Sequence, residues 1–389
     1  MPEPAYADVT VLDLSQGVAG PYCATVLGLQ GARVTKVEPP EGDWVRLLGG
    51  GRDGLTALAI VSNLGKRSLC VDARTPAGRA IVARLAAQAD VLIENFRPRV
   101  MAQLGLAYEA LAADNRRLVY LSISAFGDSG PWVDKPGTDS VLQAYTGMAA
   151  LNKEESGRPR RHGMLVADTI AALYAAQRVG AALYARSRTG LGEHVTLSLA
   201  ECCAAFQAAP MLDEAMFAGG DRPPITAPSG VFATADGFLV LLTLRNDMWG
   251  RFCRAIDREA WLADPRFATN ASRGAHAAEL NRLVQETLAT RETGAWLETL
   301  ERADVLCAEV QGYAQLRDHP QMRHMRYFGE VRQSADDALP VPHLPGTERG
   351  ALLPPAPRCG EHTAEILREL GYSAGEIAAL ERSRAVVQA

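Results

Sequence analysis

Val9-Thr10-Val11-Leu12-Asp13-Leu14-Ser15-Gln16-Gly17-Val18-Ala19-Gly20-Pro21 decides how the chain is read. A compact β-branched and leucine-rich run meets a polar loop containing glycine, and a helix-compatible segment follows, the opening of a parallel α/β unit. Runs of the same kind recur at 33–38, 68–72, 91–95 and 118–124, with apolar residues at helical spacing over 21–30, 77–87 and 101–112 between them. The alternation predicts a Rossmann-like, mostly parallel, doubly wound α/β sheet joined by crossover helices. Ligands of such sheets sit beyond the carboxyl ends of the strands, near helix N-termini, and residues 15–21 would occupy that place.

Beyond Thr138 the texture changes. Segments 139–149 and 169–186 read as helices, and the small residues Ala171, Ala172, Ala175, Ala176, Gly180, Ala181, Ala182 and Ala185 would let the second pack closely at the centre. After a turn at 189–192, the alternating 194–199 reads as one more strand. Gly219-Gly220, Pro223-Pro224 and Pro228 suit a linker. Residues 231–242 read as a hairpin around Asp236-Gly237, and amphipathic helices follow at 248–255, 277–289 and 294–303. The prolines between 340 and 357 predict a loop-rich return before a helix at 362–370. The expected organisation is a large domain over 1–205 completed by 325–389, a linker at 206–229 and a smaller α+β domain at 230–324.

With 389 residues, 48% hydrophobic, 22% charged and a net charge of −5, the chain has the composition of a soluble globular protein that needs no metal or disulfide to fold. No basic run could neutralise a row of phosphates, so neither nucleic acid nor an anionic membrane is an expected partner. The apolar stretch 164–185 is broken by Asp168, Gln177 and Arg178 and reads as a buried helix rather than a membrane span. Residues 1–8 carry no signal-peptide pattern. Seven scattered cysteines form no CxxC pair and read as reduced thiols of a cytoplasmic protein. Walker A, HExxH, GxSxG and GxGxxG sequences are absent, and the seven histidines lack metal spacing, so no metal centre is expected.

Asp168 is the most suggestive acid, lying between apolar Met164-Leu165-Val166-Ala167 and the alanine-rich helix. As a helix N-cap it would accept backbone N–H bonds and stay ionised at neutral pH. An ionised carboxylate can also act as a nucleophile without a separate base. The glycines of residues 16–21 would let backbone approach a ligand and helix-opening N–H groups bind an oxyanion or phosphate; a plain strand–helix turn would look the same. Arg46, Lys66, Arg67, Arg97 and Arg99 are solvated charges in the bland reading. Gathered around Asn95-Phe96, they would serve a phosphate-bearing cofactor with an aromatic contact to its base. Asp139 reads as a cap of its own helix.

These pieces occur together in one known arrangement. Val11-Leu12-Asp13-Leu14-Ser15, Val18-Ala19-Gly20-Pro21, Val34-Thr35-Lys36-Val37-Glu38-Pro39-Pro40 and Gly42-Asp43 resemble the start of the class III CoA-transferases, the formyl-CoA transferase and carnitine CoA-transferase family. Asn63-Leu64-Gly65-Lys66-Arg67-Ser68, Asp72 with Thr75-Pro76-Ala77-Gly78, Glu94-Asn95-Phe96-Arg97-Pro98 and Ser124-Ala125-Phe126-Gly127 with Gly130-Pro131 agree in order. Gln143-Ala144 with Gly147, Gly190-Leu191-Gly192-Glu193-His194-Val195-Thr196-Leu197-Ser198-Leu199 and Asp264-Pro265-Arg266-Phe267-Ala268 continue the series, which spans about residues 9–324.

The resemblance implies a homodimer of interlocked protomers that moves CoA from an acyl-CoA to a small carboxylic acid. It places Asp168 at the family's catalytic aspartate, forming aspartyl anhydride and aspartyl-CoA thioester intermediates. It also implies that Gly17, Val18 and Ala19 lie beside the thioester, their N–H groups stabilising oxyanion charge, and that Lys66, Asn95, Phe96 and Arg97 contact the CoA nucleotide. Coenzyme A enters as a substrate, and no metal or redox cofactor is implied. Gln103 stands where some members have arginine. Val18 replaces the glutamine of formyl-CoA transferases, whose glycine-run loop is also missing, which points away from formate and oxalate as the substrate pair.

Two alternatives share the fold. The 2-methylacyl-CoA racemases carry Gly-His-Asp, but here the stretch is Gly137-Thr138-Asp139, and threonine is no base at neutral pH. A catalytically silent CoA-binding scaffold would tolerate replacement of Asp168. A nicotinamide dehydrogenase, the third rival, lacks its glycine fingerprint. Arg161, His162 and Arg245 are candidates to bind the second carboxylate of a dicarboxylic acid, with ordinary surface charge as the other reading.

Overall fold

Thr10–Asp13 (β1) is the hinge of a seven-stranded sheet, because it pairs in parallel with a strand on each side. The flanking strands are Arg33–Glu38 (β2) and, on the other side, Val91–Glu94 (β4), while Arg67–Val71 (β3) lies beyond β2. Val119–Ser124 (β5) and His194–Ser198 (β6) extend the other edge, again in parallel. This computed structural model describes residues 3–52, 55–154, 156–217, 224–334, 337–350 and 352–389. The strand order reverses at β1, so a crevice opens at its carboxyl end. Every residue of β4 is buried, as expected of a parallel strand covered on both faces.

Ala19–Gly28 (α1) and Pro76–Ala86 (α2) follow their strands as crossover helices. The expected helix over 101–112 is instead two short pieces, Val100–Gln103 and Tyr108–Asp114. Gly105 between them has φ +70°, a left-handed conformation that ends a helix. The expected helix 139–149 is likewise divided, into Asp139–Tyr145 (α3) and Met148–Leu151, at Gly147 with φ +85°. The alanine-rich helix runs longer than expected, Val166–Thr189 (α4), and ends at left-handed Gly190. Its small face is buried: Ala167, Ala171, Ala172, Ala175 and Ala182 pack into one core with Cys23, Ala24 and Leu27 of α1. Close approach is enforced at Gly180, where a Cβ would lie 2.8 Å from the Tyr6 hydroxyl.

The chain divides into two compact units, Met1–Met211 with Arg326–Ala389, and Leu212–Met325. Within the segment expected as a linker, Ala208–Met216 is helical, and Gly219, Gly220 and Pro223 lie outside the described residues. In the second unit Ser229–Ala233 (β7) and Phe238–Leu242 (β8) form the expected antiparallel hairpin. Leu306–Glu309 (β9) adds a third strand that local pattern had not marked. Helices Asn246–Ala255, Ala277–Leu288 and Thr293–Arg302 bury Trp249, Phe252, Val284 and Trp296 against this sheet. The return segment of the first unit is more ordered than its prolines suggested. Phe328–Ser334 pairs antiparallel with Asp337–Pro342, and after helix Thr363–Glu369 the short strand Val386–Val387 (β10) closes the sheet antiparallel to β3.

Candidate active site

The loop after β1 is shaped by atoms that exclude alternatives. Gly17 has φ +80°, and a Cβ there would come within 2.4 Å of the Trp44 ring. Asn95 grips its neighbour from both sides: Gln16 N–H donates to Oδ1 at 2.7 Å, and Nδ2 donates to the Gln16 carbonyl at 2.7 Å. Asp43 accepts the Gly17 N–H at 2.9 Å, the Val45 N–H at 3.1 Å and Lys36 Nζ at 3.0 Å. The Gly17 N–H is therefore committed to Asp43. Of the three backbone groups expected at the thioester, Val18 and Ala19 remain, and both open α1, where helix geometry leaves N–H groups without intrahelical partners.

Below the loop lies a buried ionic cluster. Lys66 Nζ donates to Asp13 Oδ2 at 2.8 Å, the Pro21 carbonyl at 2.8 Å and Asn63 Oδ1 at 3.1 Å. An ammonium has three donors, so this side chain, fully buried, is saturated by the protein. Burial and, secondarily, repulsion from Lys36 outweigh the pull of Asp13 and bring Lys66 down to about 8. Burial also opposes charge on Asp13, yet Lys36 and Lys66 hold its carboxyl below the usual range. Arg46 is bound to Glu38 at 2.6 and 2.8 Å, and Arg67 to Glu369 at 2.9 Å twice. Of the basic residues singled out, Arg97 is exposed and its guanidinium has no acceptor among the described residues, while Arg99 lines a neighbouring cavity.

Asp168 is not the cap of its helix. It stands in the first turn of α4, and Asp139 performs the capping, accepting the Ala167 N–H at 2.7 Å and the Asp168 N–H at 3.4 Å on Oδ2. Its other oxygen, Oδ1, accepts from Gln143 Nε2 at 2.7 Å, and Gln143 Oε1 accepts the His162 N–H at 2.7 Å. The expectation that Asp168 is held ionised by helix N–H groups is thereby corrected. Those groups serve Asp139, and burial followed by repulsion from Asp139 pushes Asp168 up to about 7. The Asp168 carboxylate accepts no hydrogen bond among the described residues and faces a cavity of about 420 Å³.

Gln16, Val18, Ala19, Asn95, Phe96 and Arg97 line the same cavity as Asp168, so the structure brings together all the expected site residues except Gly17, which lies behind it against Trp44, and Lys66. Lys135, missed in the sequence, also lines it, its ammonium 3.3 Å from the centroid of the Trp132 ring. The Lys-after-Trp spacing in 132–135 was the available signal. Two further cavities meet at Phe96. One, of about 640 Å³, includes Arg97, Ser122 and His194, whose Nε2 lies 2.9 Å from Ser122 Oγ. The other, of about 460 Å³, is mostly apolar and is lined by Leu14, Val37, Val71 and Gln103. Arg161 and His162 line none of these cavities, and Arg245, in the second unit, is paired with Asp247 at 3.0 Å. Among the described residues no group of three or more His, Cys, Asp or Glu is placed to hold a metal ion, and no helix is long and apolar enough to cross a membrane.

Comparison with known proteins gives a consistent result. Residues 6–363 match the sequence model of CoA-transferase family III. The chain is 33% identical over 393 residues to the succinate–glutarate CoA-transferase of Agrobacterium fabrum, covering 95% of this chain and 96% of that protein. It is 32% identical to the succinyl-CoA–D-citramalate CoA-transferase of Chloroflexus aurantiacus, covering 97% of each. The crystal structure of a CAIB/BAIF family protein from Brucella suis matches with a TM-score of 0.85 at 30% identity, covering 95% of this chain and 100% of that one.

Proposed function

This chain belongs to CoA-transferase family III, and we propose that it moves CoA from an acyl-CoA donor to a small carboxylic acid through covalent intermediates on Asp168. The observation that carries this reading is a carboxylate with no hydrogen-bond donor among the described residues, lining one cavity with two helix-opening residues, Val18 and Ala19. An Asp168 oxygen attacks the thioester carbonyl, the C–S bond breaks, and CoA leaves as a thiolate, leaving an aspartyl anhydride. The thiolate attacks the aspartyl carbonyl carbon and releases the donor acid as a carboxylate, leaving an aspartyl-CoA thioester. The acceptor carboxylate repeats the two steps in reverse order and restores free Asp168. Val18 and Ala19 N–H groups stabilise the oxyanions that form, and the cavity walls limit hydrolysis of the anhydride.

The ligand is long, and the site suits it. Three cavities converge on Phe96, one mostly apolar, one bearing Asp168 and one bearing Arg97 and His194, and Arg97, unpaired among the described residues, lines both of the latter two, as an adenine, a thioester and a phosphate would require. We assign Phe96 and Arg97 to the CoA nucleotide, and Asn95 to holding the Gln16 loop rather than to the ligand. Lys66 is assigned to the loop's buried support. The proposed acceptor is a small dicarboxylic acid, a reading supported by relatives named for succinate, glutarate and citramalate. The reading includes a cytoplasmic, interlocked homodimer. Helix Ala208–Met216 supports a partner surface, since it buries no residue and exposes Met211, Leu212 and Met216.

The test is trapping. Incubation with succinyl-CoA and hydroxylamine should convert Asp168 to its hydroxamate, detected by mass spectrometry, and Asp168→Ala should abolish both the label and CoA exchange. Absence of label across a panel of acyl-CoAs, with CoA still bound, would favour the silent scaffold.

A further inference from the structure

Leu165 precedes α4 and its side chain holds no acceptor, so the residue at the cap position cannot satisfy the N–H groups that open the 24-residue helix bearing Asp168. Asp139 does so from α3, and Gln143, one turn further along α3 and fully buried, holds Asp139 in place. Gln143 Nε2 donates to Asp139 Oδ1 at 2.7 Å and to the Met164 carbonyl at 3.1 Å, while Oε1 accepts the His162 N–H at 2.7 Å. These three partners are fixed in kind, since a carboxylate and a carbonyl accept and a backbone N–H donates. A primary amide, with two donors on one atom and an acceptor on the other, meets all three. Glutamate would set an acceptor against two acceptors, asparagine falls one methylene short, and methionine offers no donor.

Gln143 lines none of the cavities that meet at Phe96, so it acts on the site only through other residues. Its bonds lead to Asp168 by two routes. One fixes which Asp139 oxygen faces the Ala167 and Asp168 N–H groups, at 2.7 and 3.4 Å. The other two anchor residues 162–164, the stretch that enters α4, to α3. Thr138, at the N-cap position of α3, lines the same cavity as Asp168, so both helices open onto one space.

We propose, resting on the reading of Asp168 as the nucleophile, that Gln143 is a positioning residue of the reaction: by clamping the Asp139 carboxylate and residues 162–164 together, it sets the attitude in which Asp168 meets the thioester. A buried amide whose polar atoms are all satisfied is a stiff tie. Without it the Asp139 carboxylate turns about its terminal torsion, which is broad and two-fold, and the entry to α4 loses its anchor. A shift of about 1 Å at a reacting group can cost about 10²-fold in rate, so a side chain that touches no substrate still governs the chemical step.

The experiment is single-turnover trapping of the full chain with succinyl-CoA and hydroxylamine, reading the rate at which the Asp168 hydroxamate appears, with CoA affinity and melting temperature measured in parallel. Gln143→Met should slow labelling at saturating succinyl-CoA by about tenfold or more and leave CoA affinity unchanged. In an Asp139→Ala background the same substitution should cost much less, because one end of the clamp is already gone. Should Gln143→Met not fold, Gln143→Asn, which keeps the amide but not its reach, is read in the same way. A melting temperature that falls while each folded molecule labels at the wild-type rate, or losses that multiply in full in the double variant, would overturn the proposal. A wild type that never labels would instead remove the Asp168 reading, and this inference with it.

Discussion

Asp139 sits at the opening of the helix that bears Asp168, close enough for its Oδ2 to accept the Asp168 N–H at 3.4 Å and the preceding Ala167 N–H at 2.7 Å. One acid takes the stabilising end of the helix, and the other is left beside a like charge. Burial leads and Asp139 adds to it in raising Asp168 to about 7. The proposed nucleophile would thus be poised near neutrality, where an ionised carboxylate is both populated and basic enough to attack.

The rate of aspartyl anhydride formation should therefore rise with pH through about 7 and level off above it, because only the deprotonated carboxylate attacks. Asp139→Asn keeps an accepting oxygen for the cap but removes the negative charge, so the rising limb should move to lower pH. Single-turnover kinetics from pH 5 to 9 read this directly. A flat profile, or one that Asp139→Asn does not shift, would separate Asp168 from the titration.

Stability should respond in the opposite sense. Asp168 has a folded pKa raised above its unfolded value, so the folded state holds an extra proton between about 4 and 7, and stability declines as pH rises across that window. Asp168→Asn should cut turnover by about 10³-fold or more. The same variant should be more stable than wild type at pH 8 by roughly 1–3 kcal/mol, at about 1.4 kcal/mol per pKa unit and after allowing for partial exposure. Urea melts at pH 4 and 8 would show a clearly larger gain at the higher pH.

Gly17→Ala should be destabilising by roughly 1–3 kcal/mol or more, because the added methyl meets the Trp44 ring at 2.4 Å while φ stays at +80°. Gly49, with a similar φ of +80° and nothing within 4 Å of the added carbon, is the control for backbone strain alone. Equal losses at the two positions in thermal melts would remove the Trp44 collision from the account.

Lys66 and Arg97 should separate cleanly. Lys66→Met leaves Asp13 with a missing partner in a dry cluster and should cost about 3–5 kcal/mol of stability. Arg97→Ala should leave the melting temperature within a degree or two and weaken CoA binding by about tenfold, the loss of one charge-assisted hydrogen bond. Calorimetric titration of CoA into each variant distinguishes the roles, and an Arg97→Ala protein with unchanged affinity would end the assignment.

Much of the first unit was legible in the sequence because its signals are local. Five apolar runs with flanking breakers marked β1 to β5, and the small residues of 171–185 marked a close-packed helix. Where local pattern misled, the cause was a glycine at positive φ, as at Gly105 and Gly147, where helical spacing continues although the backbone turns away. β9 and β10 are short strands recruited by pairing with edges already formed, and no periodicity of their own announces them.

The sequence by itself determined the strand–loop–helix succession, the loop after β1 and the family to which Asp168 and its neighbours belong. Only the tertiary structure decided what each polar atom does. Asp139 reaches Ala167 across 28 residues, Asp43 takes the Gly17 N–H across 26, and Lys66 reaches Asp13 across 53. A side chain's identity states how many donors or acceptors it has, but which partner satisfies them depends on distances set when the strands align. The ionisation of Asp168 depends in turn on the burial and on the Asp139 charge that those distances bring about.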